Sequence, residues 1–348
     1  MGRVSIDIRA RIHGVVVAAA CLMAPAVMLF GGAPVRAVTT EGEAKPSPTH
    51  EHKDAAPASA GEVEEKSSLK HVMDDYEIEL FESFGPPAIH LPYTTVHIAD
   101  REITLGLSKF MLLELLAAGL VAAFYIPLAR RLSSGAPPSG WQDNVREVLL
   151  TFIRDEVAKP AIGHDADKYV PFLWTMFLFI LFNNLLGLVP FCGSATGNIY
   201  VTAGLALCVF FAIHGSAIQK MGFGKYTASL WPHIDVPFGL GYILKPLIFG
   251  LEWLGVLVRN GVLAVRLFAN MFAGHVVLAT ILIFIYTAGH LYRESPALHW
   301  GLWGTVSLMS VLGQVALSLL ELFVAFLQAY IFTFLTSIFM GMAMHPAH

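Results

Sequence analysis

Five stretches of this chain stay apolar for close to twenty residues or longer, and the segments between them are short, polar or amphipathic. A helix needs about twenty apolar residues to cross a bilayer, so each stretch predicts a transmembrane helix. The first covers about 110–129 and ends on Arg130 and Arg131; the second covers about 170–189 and carries Asn183 and Asn184 ahead of Pro190; the third covers about 199–218. The last two, about 246–289 and 300–343, would each make roughly 65 Å of continuous helix, twice the ~30 Å hydrocarbon core. Each must tilt steeply or divide into two spans, and Asn260-Gly261 has the composition of a turn. The pattern predicts an all-α polytopic membrane protein with a membrane domain at 109–348 and about five transmembrane helices.

The remaining segments carry other periods. Within PPSGWQDNVREVLLTFIRDEVAKPAIG, Val145, Val148, Leu149, Phe152 and Ile153 share one face and charges take the opposite one. That suits an amphipathic helix over about 141–158, lying on the membrane surface and too charged to span. In 86–108 the alternation of TTVHIADREITLGL, centred on Ala99-Asp100, predicts a small β-hairpin before the first span. Residues 38–85 are rich in Ala, Glu, Pro, Ser and Lys without a sustained apolar period, the composition of a disordered tail. Residues 1–37 combine Arg3, Arg9 and Arg11, an apolar core from Val15 to Phe30 and the small-residue site Val35-Arg36-Ala37, the layout of a secretory signal peptide. The core is only slightly short of a span, so an uncleaved anchor is the rival reading. Cys21 follows three alanines, but the apolar run continues past it, against a lipoprotein signal.

Composition agrees with the membrane class. The chain is 55% hydrophobic and 14% charged, with a mean hydropathy of +0.62, well below the roughly 25% charge of a soluble domain. The net charge of −4 arises mostly in the N-terminal third and implies no nucleic-acid partner. Placement of Lys and Arg says more. The connection 190–199 has neither, whereas Arg130 and Arg131 follow the first span and Lys220, Lys225 and Lys245 follow the third. The positive-inside bias therefore puts 130–168 and 219–245 in the cytoplasm and 190–199 outside, with an external mature N-terminus and hairpin and a cytoplasmic surface helix and C-terminus. His50, His52, His71, His90 and His97 match no ligand spacing, and no metal or cofactor is implied. Of Cys21, Cys192 and Cys208, the second is external and the third lies within a span, so they form no disulfide framework.

The candidate chemistry lies in VLVRNGVLAVRLFANMFAGHVVL, residues 256–278, where Arg259, Arg266, Asn270 and His275 interrupt an apolar run. An Arg at the bilayer centre costs roughly 2.5 to 3.5 kcal/mol on translocon scales, so it faces a bundle interior or a watery cavity and marks an ion path. Glu252, Arg259 and Arg266 are seven apart, two helical turns, and Asn270 shares their face. A second stripe, Gln314, Glu321 and Gln328 with Ser318 beside it, repeats every seven residues in the last helix. If Tyr292 to Pro296 forms a hairpin, the two helices run antiparallel. Arg266 is then level with Gln328, and His275 with Glu321 about 13 Å nearer the hairpin. The bland alternative is an ion-paired stripe that only staples helices together.

RLFANMFAGH, followed some fifty residues later by LELFVAFLQAYIF, resembles the a-subunit family of F-type ATP synthases in the order and spacing of its Arg, Asn and Gln. The resemblance runs from about residue 110 onward. It departs in two places. Many members carry Glu at the position of His275 and His at that of Glu321, an exchange that keeps one imidazole and one carboxylate at one level, and Ala269 stands where Gly is common. The resemblance implies two long, strongly tilted helices against a rotating c-ring of small two-helix subunits, with b-subunit stator helices and the rest of the F1F0 complex as further partners, in a bacterial inner membrane.

In that role Arg266 separates two offset proton half-channels. A guanidinium stays protonated when buried, and a permanent cation lowers the pKa of a nearby carboxylate. Each ring carboxylate would give up its proton at Arg266 and be reloaded from the other half-channel, so that proton flow drives rotation and ATP synthesis. His275 and Glu321 are candidates for a proton relay at the external mouth, with a structural hydrogen bond as the alternative. Asn270 and Gln328 do not titrate and would orient water or hold the guanidinium. Asn183, Asn184, Glu252, Arg259 and Gln314 are candidates for lining the paths, and Glu114 for packing or stator contact. The chain reads as a non-catalytic subunit, with no HExxH or GxSxG. A self-contained secondary transporter, the alternative function, would show internal repeats that this chain lacks.

Overall fold

The computed structural model describes residues 109–133, 140–189, 194–229, 231, 241–291 and 296–345, together with strand residues 77–78, 89–90, 93–98 and 101–106. The signal segment expected at 1–37, nearly all of the tail expected at 38–85 and the turn expected at Ala99-Asp100 lie outside the described residues. β1 (Glu77–Ile78) pairs antiparallel with β2 (Ile89–His90), and β3 (Tyr93–Ile98) with β4 (Arg101–Gly106), Ile98 standing opposite Arg101. Glu77–Ile78 thus belongs to a strand pair although it falls within 38–85. The local alternation YEIEL supplies the period of two that a strand needs.

Five helices among the described residues are long and apolar enough to cross a membrane. α1 spans Lys109–Ser133. After it, α2 (Trp141–Phe152), a π-helical segment Ile153–Ala158, α3 (Lys159–Ile162), a 3-10 turn Gly163–Asp165 and α4 (Ala166–Gly187) follow one another almost without interruption. The direction changes at Gly163, where φ is 79°, a conformation that a residue without a β-carbon adopts freely. The apolar face expected of the surface helix divides: Val145 and Val148 are exposed, while Ile153 is fully buried in the core. On its polar side Asp143 is buried and accepts a 3.1 Å hydrogen bond from Arg146, whose guanidinium sits 5.3 Å over the Phe124 ring of α1.

Asn198 caps α5 (Ile199–Met221) by accepting from the Tyr200 N–H at 2.9 Å. Gly222, at φ 84°, ends that helix and turns the chain into the short α6 (Phe223–Ser229). α7 (Gly241–Leu291) and α8 (Pro296–Met344) are unbroken helices of 51 and 49 residues. Asn260-Gly261 makes no turn; Asn260 Nδ2 donates to the Val256 carbonyl of its own helix at 3.1 Å. Of the two arrangements open to the long apolar stretches, the continuous helix is therefore the one observed.

α4 is the central element, with Leu173, Trp174, Met176, Phe177, Leu178 and Ile180 fully or almost fully buried. Trp174 packs on Tyr125 and Phe124 of α1 at centroid distances of 4.5 and 6.3 Å. Leu205 and Val209 of α5, Leu263 and Leu267 of α7, and Ala329 and Phe332 of α8 complete the core. At the end where α4 begins, Arg154 grips Asp167 with two hydrogen bonds of 2.7 and 3.0 Å, and Lys220 pairs with Asp165 at 2.9 Å. The outward faces of α7 and α8 stay uncovered, with Leu251, Leu254 and Val258 on one and Leu312, Leu319 and Phe323 on the other all more than half exposed.

Candidate functional site

α7 and α8 run antiparallel, and their polar stripes meet. Asn270 Nδ2 donates to Gln328 Oε1 at 2.8 Å, one helical turn beyond Arg266. Gln328 is 1% exposed, and its Nε2 has no hydrogen-bond partner among the described residues. The level expected from the spacing is kept to within a turn, but Gln328 is held by Asn270 and not by the guanidinium. Arg266 is half-buried and makes no ion pair or hydrogen bond with any described residue.

His275 and Glu321 lie at the same level but do not hydrogen-bond to each other. The Glu321 carboxylate occupies the space where Gly274 lacks a β-carbon, beside His275. His275 Nε2 is buried without a partner among the described residues. The small residue at 274 is what lets a carboxylate from α8 reach the α7 backbone. Gln314 is half-buried two turns before Glu321, and no hydrogen bond joins it to either stripe.

The asparagines of α4 separate in role. Asn184 is fully buried and bridges three segments: its Nδ2 donates to the Ala325 carbonyl of α8 at 3.3 Å, and its Oδ1 accepts from Thr196 Oγ1 at 2.9 Å. Thr196 in turn lies 3.1 Å from Ser194 Oγ. Asn183 Nδ2 donates to the Phe179 carbonyl of its own helix at 2.9 Å. Beside Asn184, Gly187 admits a close approach, since a β-carbon there would lie 2.8 Å from Ser194 Oγ and 2.9 Å from Met271 Cε of α7. Ser194 and Thr196 are buried site residues that the sequence pattern missed. Small hydroxyl residues before a helix read as caps, and nothing in their spacing tells that the loop folds inward.

On the other side of Arg266, about 10 Å back along α7 at the level of Arg259, a cavity of about 160 Å3 opens between α5, α6, α7 and α8. Glu252, Arg259 and Asn260 of α7 line it, with His214 of α5 and Tyr226 of α6. The Arg259 guanidinium also sits 6.0 Å over the Phe339 ring of α8. His214 Nδ1 and Tyr226 Oη are hydrogen-bonded. Burial, assisted by the Glu252 charge, pushes the Tyr226 phenol up. His214 is legible in the sequence as an ionisable residue within a span, but its partner comes from a helix that starts only after the Gly222 turn. Glu114 of α1 is buried and belongs to neither cluster.

The chain therefore carries two polar zones on α7, one to each side of a lone cation, inside a bundle of five membrane-capable helices. Residues 111–341 match the family model described as ATP synthase A chain. The chain is 36% identical over 291 residues to ATP synthase subunit a of Chloroherpeton thalassium, covering 82% of this chain and 79% of that one. It is 38% identical over 252 residues to the subunit a of Myxococcus xanthus, at 72% and 77% coverage. Against ATP synthase subunit a 2 of Chlorobaculum tepidum it is 36% identical over 315 residues, at 90% and 83%. A match of this extent, on a chain whose Arg266, Asn270 and Gln328 gather on two antiparallel helices, makes it a member of the ATP synthase A chain family.

Proposed function

We propose that this membrane subunit of an ATP synthase forms two offset proton half-channels against a rotating c-ring, with Arg266 as the divider that keeps each passing ring carboxylate ionised. One observation carries the reading: the polar groups of α7 fall into two zones on opposite sides of Arg266, the Glu252 cavity on one and His275 with Glu321 on the other. Asn270 and Gln328, bonded to each other, border the guanidinium and orient water beside it. Asn184 lines the His275 side and Arg259 the Glu252 side; Asn183 and Gln314 are weaker members of the lining.

The uncovered apolar faces of α7 and α8 supply a surface for the ring, and the exposed Leu112, Leu115 and Leu116 of α1 a surface for b-subunit stator helices, with the buried Glu114 in a packing role behind them. The subunit is non-catalytic and multi-pass in a bacterial inner membrane, with the strand pairs outside and α2 and the C-terminus on the cytoplasmic side, as the Lys and Arg distribution favours. Arg266→Ala is expected to abolish gradient-driven ATP synthesis in membranes carrying the whole complex. Undiminished synthesis would refute the divider role.

A further inference from the structure

The cavity between α5, α6, α7 and α8 has more proton chemistry on its wall than Glu252 and Arg259. His214 and Tyr226 line it too, joined by a hydrogen bond, and Asn260 and Ser229 add polar atoms. A volume of about 160 Å3 holds about five waters at ~30 Å3 each, and such a wall offers them partners. An imidazole within a span is costly unless it pairs or meets water. Here one ring nitrogen is taken by Tyr226, and Nε2 has no partner among the described residues.

We propose that His214 and Tyr226 form a proton-exchanging pair of the half-channel on the Glu252 side of Arg266. The proposal rests on the proton-channel reading above. At rest the phenol Oη–H donates to Nδ1 and the neutral ring carries its proton on Nε2. When a proton enters the cavity as hydronium, the Oη–H bond breaks as its proton passes to Nδ1, and Oη takes the entering proton, leaving a neutral water. The ring is then an imidazolium, and release reverses both transfers. The charged groups around the pair suit this exchange. Glu252 of α7 balances the imidazolium, Arg259 of α7 limits its lifetime, Trp253 of α7 stacks on the ring at 5.9 Å, and α8 contributes Phe339 and Met342 to the wall and no ionisable group.

The test uses inverted membrane vesicles carrying the whole complex at matched levels, with ATP-driven proton pumping followed against the pH of the bath. His214→Gln and Tyr226→Phe are each expected to slow pumping about tenfold, the rate equivalent of one lost hydrogen bond in the transfer, and to shift the alkaline limb of the pH profile. A slower rate with an unchanged profile would assign the pair a structural role and overturn the proposal. In a second arm, Ser229→Cys is made in a chain whose 3 native cysteines are replaced by serine. It is expected to react with a membrane-impermeant thiol reagent from the bath side, and labelling from the opposite side only, or none, counts against the proposal. Loss of synthesis in Arg266→Ala together with wild-type pumping and profile in His214→Gln would sink this inference alone, whereas intact synthesis in Arg266→Ala would remove the reading beneath it.

Discussion

Arg266 is half-buried on a helix of membrane-spanning character and has no acidic partner among the described residues. A cation so placed is costly in hydrocarbon, and in the function proposed above a ring carboxylate meets it. Lysine does not substitute for it, since an ammonium loses its proton when desolvated, whereas a guanidinium does not. Arg266→Lys is therefore expected to lose most gradient-driven synthesis, which ATP synthesis assays on energised vesicles would check. The Glu321 carboxylate makes a different demand: it fits only because residue 274 has no side chain. Gly274→Ala would push it away from His275 with the subunit still assembled, and a displacement of that kind is expected to slow proton translocation roughly ten- to a hundredfold. Exchanging His275→Glu together with Glu321→His should recover much of what either change alone removes; a double variant no better than the worse single one would separate the two positions functionally. At this scale the seven-residue spacing read the two polar stripes as facing each other, and Asn270 of α7 does bond to Gln328 of α8. It put Gln328 level with Arg266, which that bond keeps to within a turn, but antiparallel level fixes depth along a helix and not the rotamers that choose a partner.

Among the elements, the two long helices settle how rigidly the polar stripes are held. α8 does more than face α7: Ser337 Oγ donates to the Val157 carbonyl at 3.1 Å, and Gly341 passes so close to the Ala161 carbonyl that no β-carbon fits between them. Gly341→Ala is expected to destabilise the subunit by about 1 to 3 kcal/mol through overpacking against backbone, read as a lower midpoint in thermal unfolding of the detergent-solubilised complex. Asp167→Asn removes a paired, half-exposed carboxylate and is expected to cost no more than about 1 kcal/mol in the same assay. The spans were legible because long apolar runs admit only helices in lipid. The π-helical join between α2 and α4 was not, since its residues follow an ordinary helical pattern; in the fold α8 packs against it through Ser337.

For the molecule as a whole, hydropathy alone was enough for the class, the number of spans and their order. What composition could not reveal was which apolar faces turn inward. α4 is apolar all round and proves to be the centre, whereas α7 and α8 are as apolar and leave their outer faces bare. α4 is thus mostly enclosed by the other helices, whereas the bare faces of α7 and α8 are left to lipid or to another subunit.

The separation of the two polar zones along α7 has an electrical consequence. If water reaches the Glu252 cavity from one face and the His275 level from the other, bulk solution extends inward from both sides and the insulating layer narrows to a waist around Arg266, the roughly 24 Å of α7 from the Arg259 level to His275. The membrane voltage then falls across that waist and not across the full bilayer, concentrating the field on whichever carboxylate is passing. Each elementary charge carried through it gains about 2.3 kcal/mol per 100 mV, delivered between the two polar zones of α7.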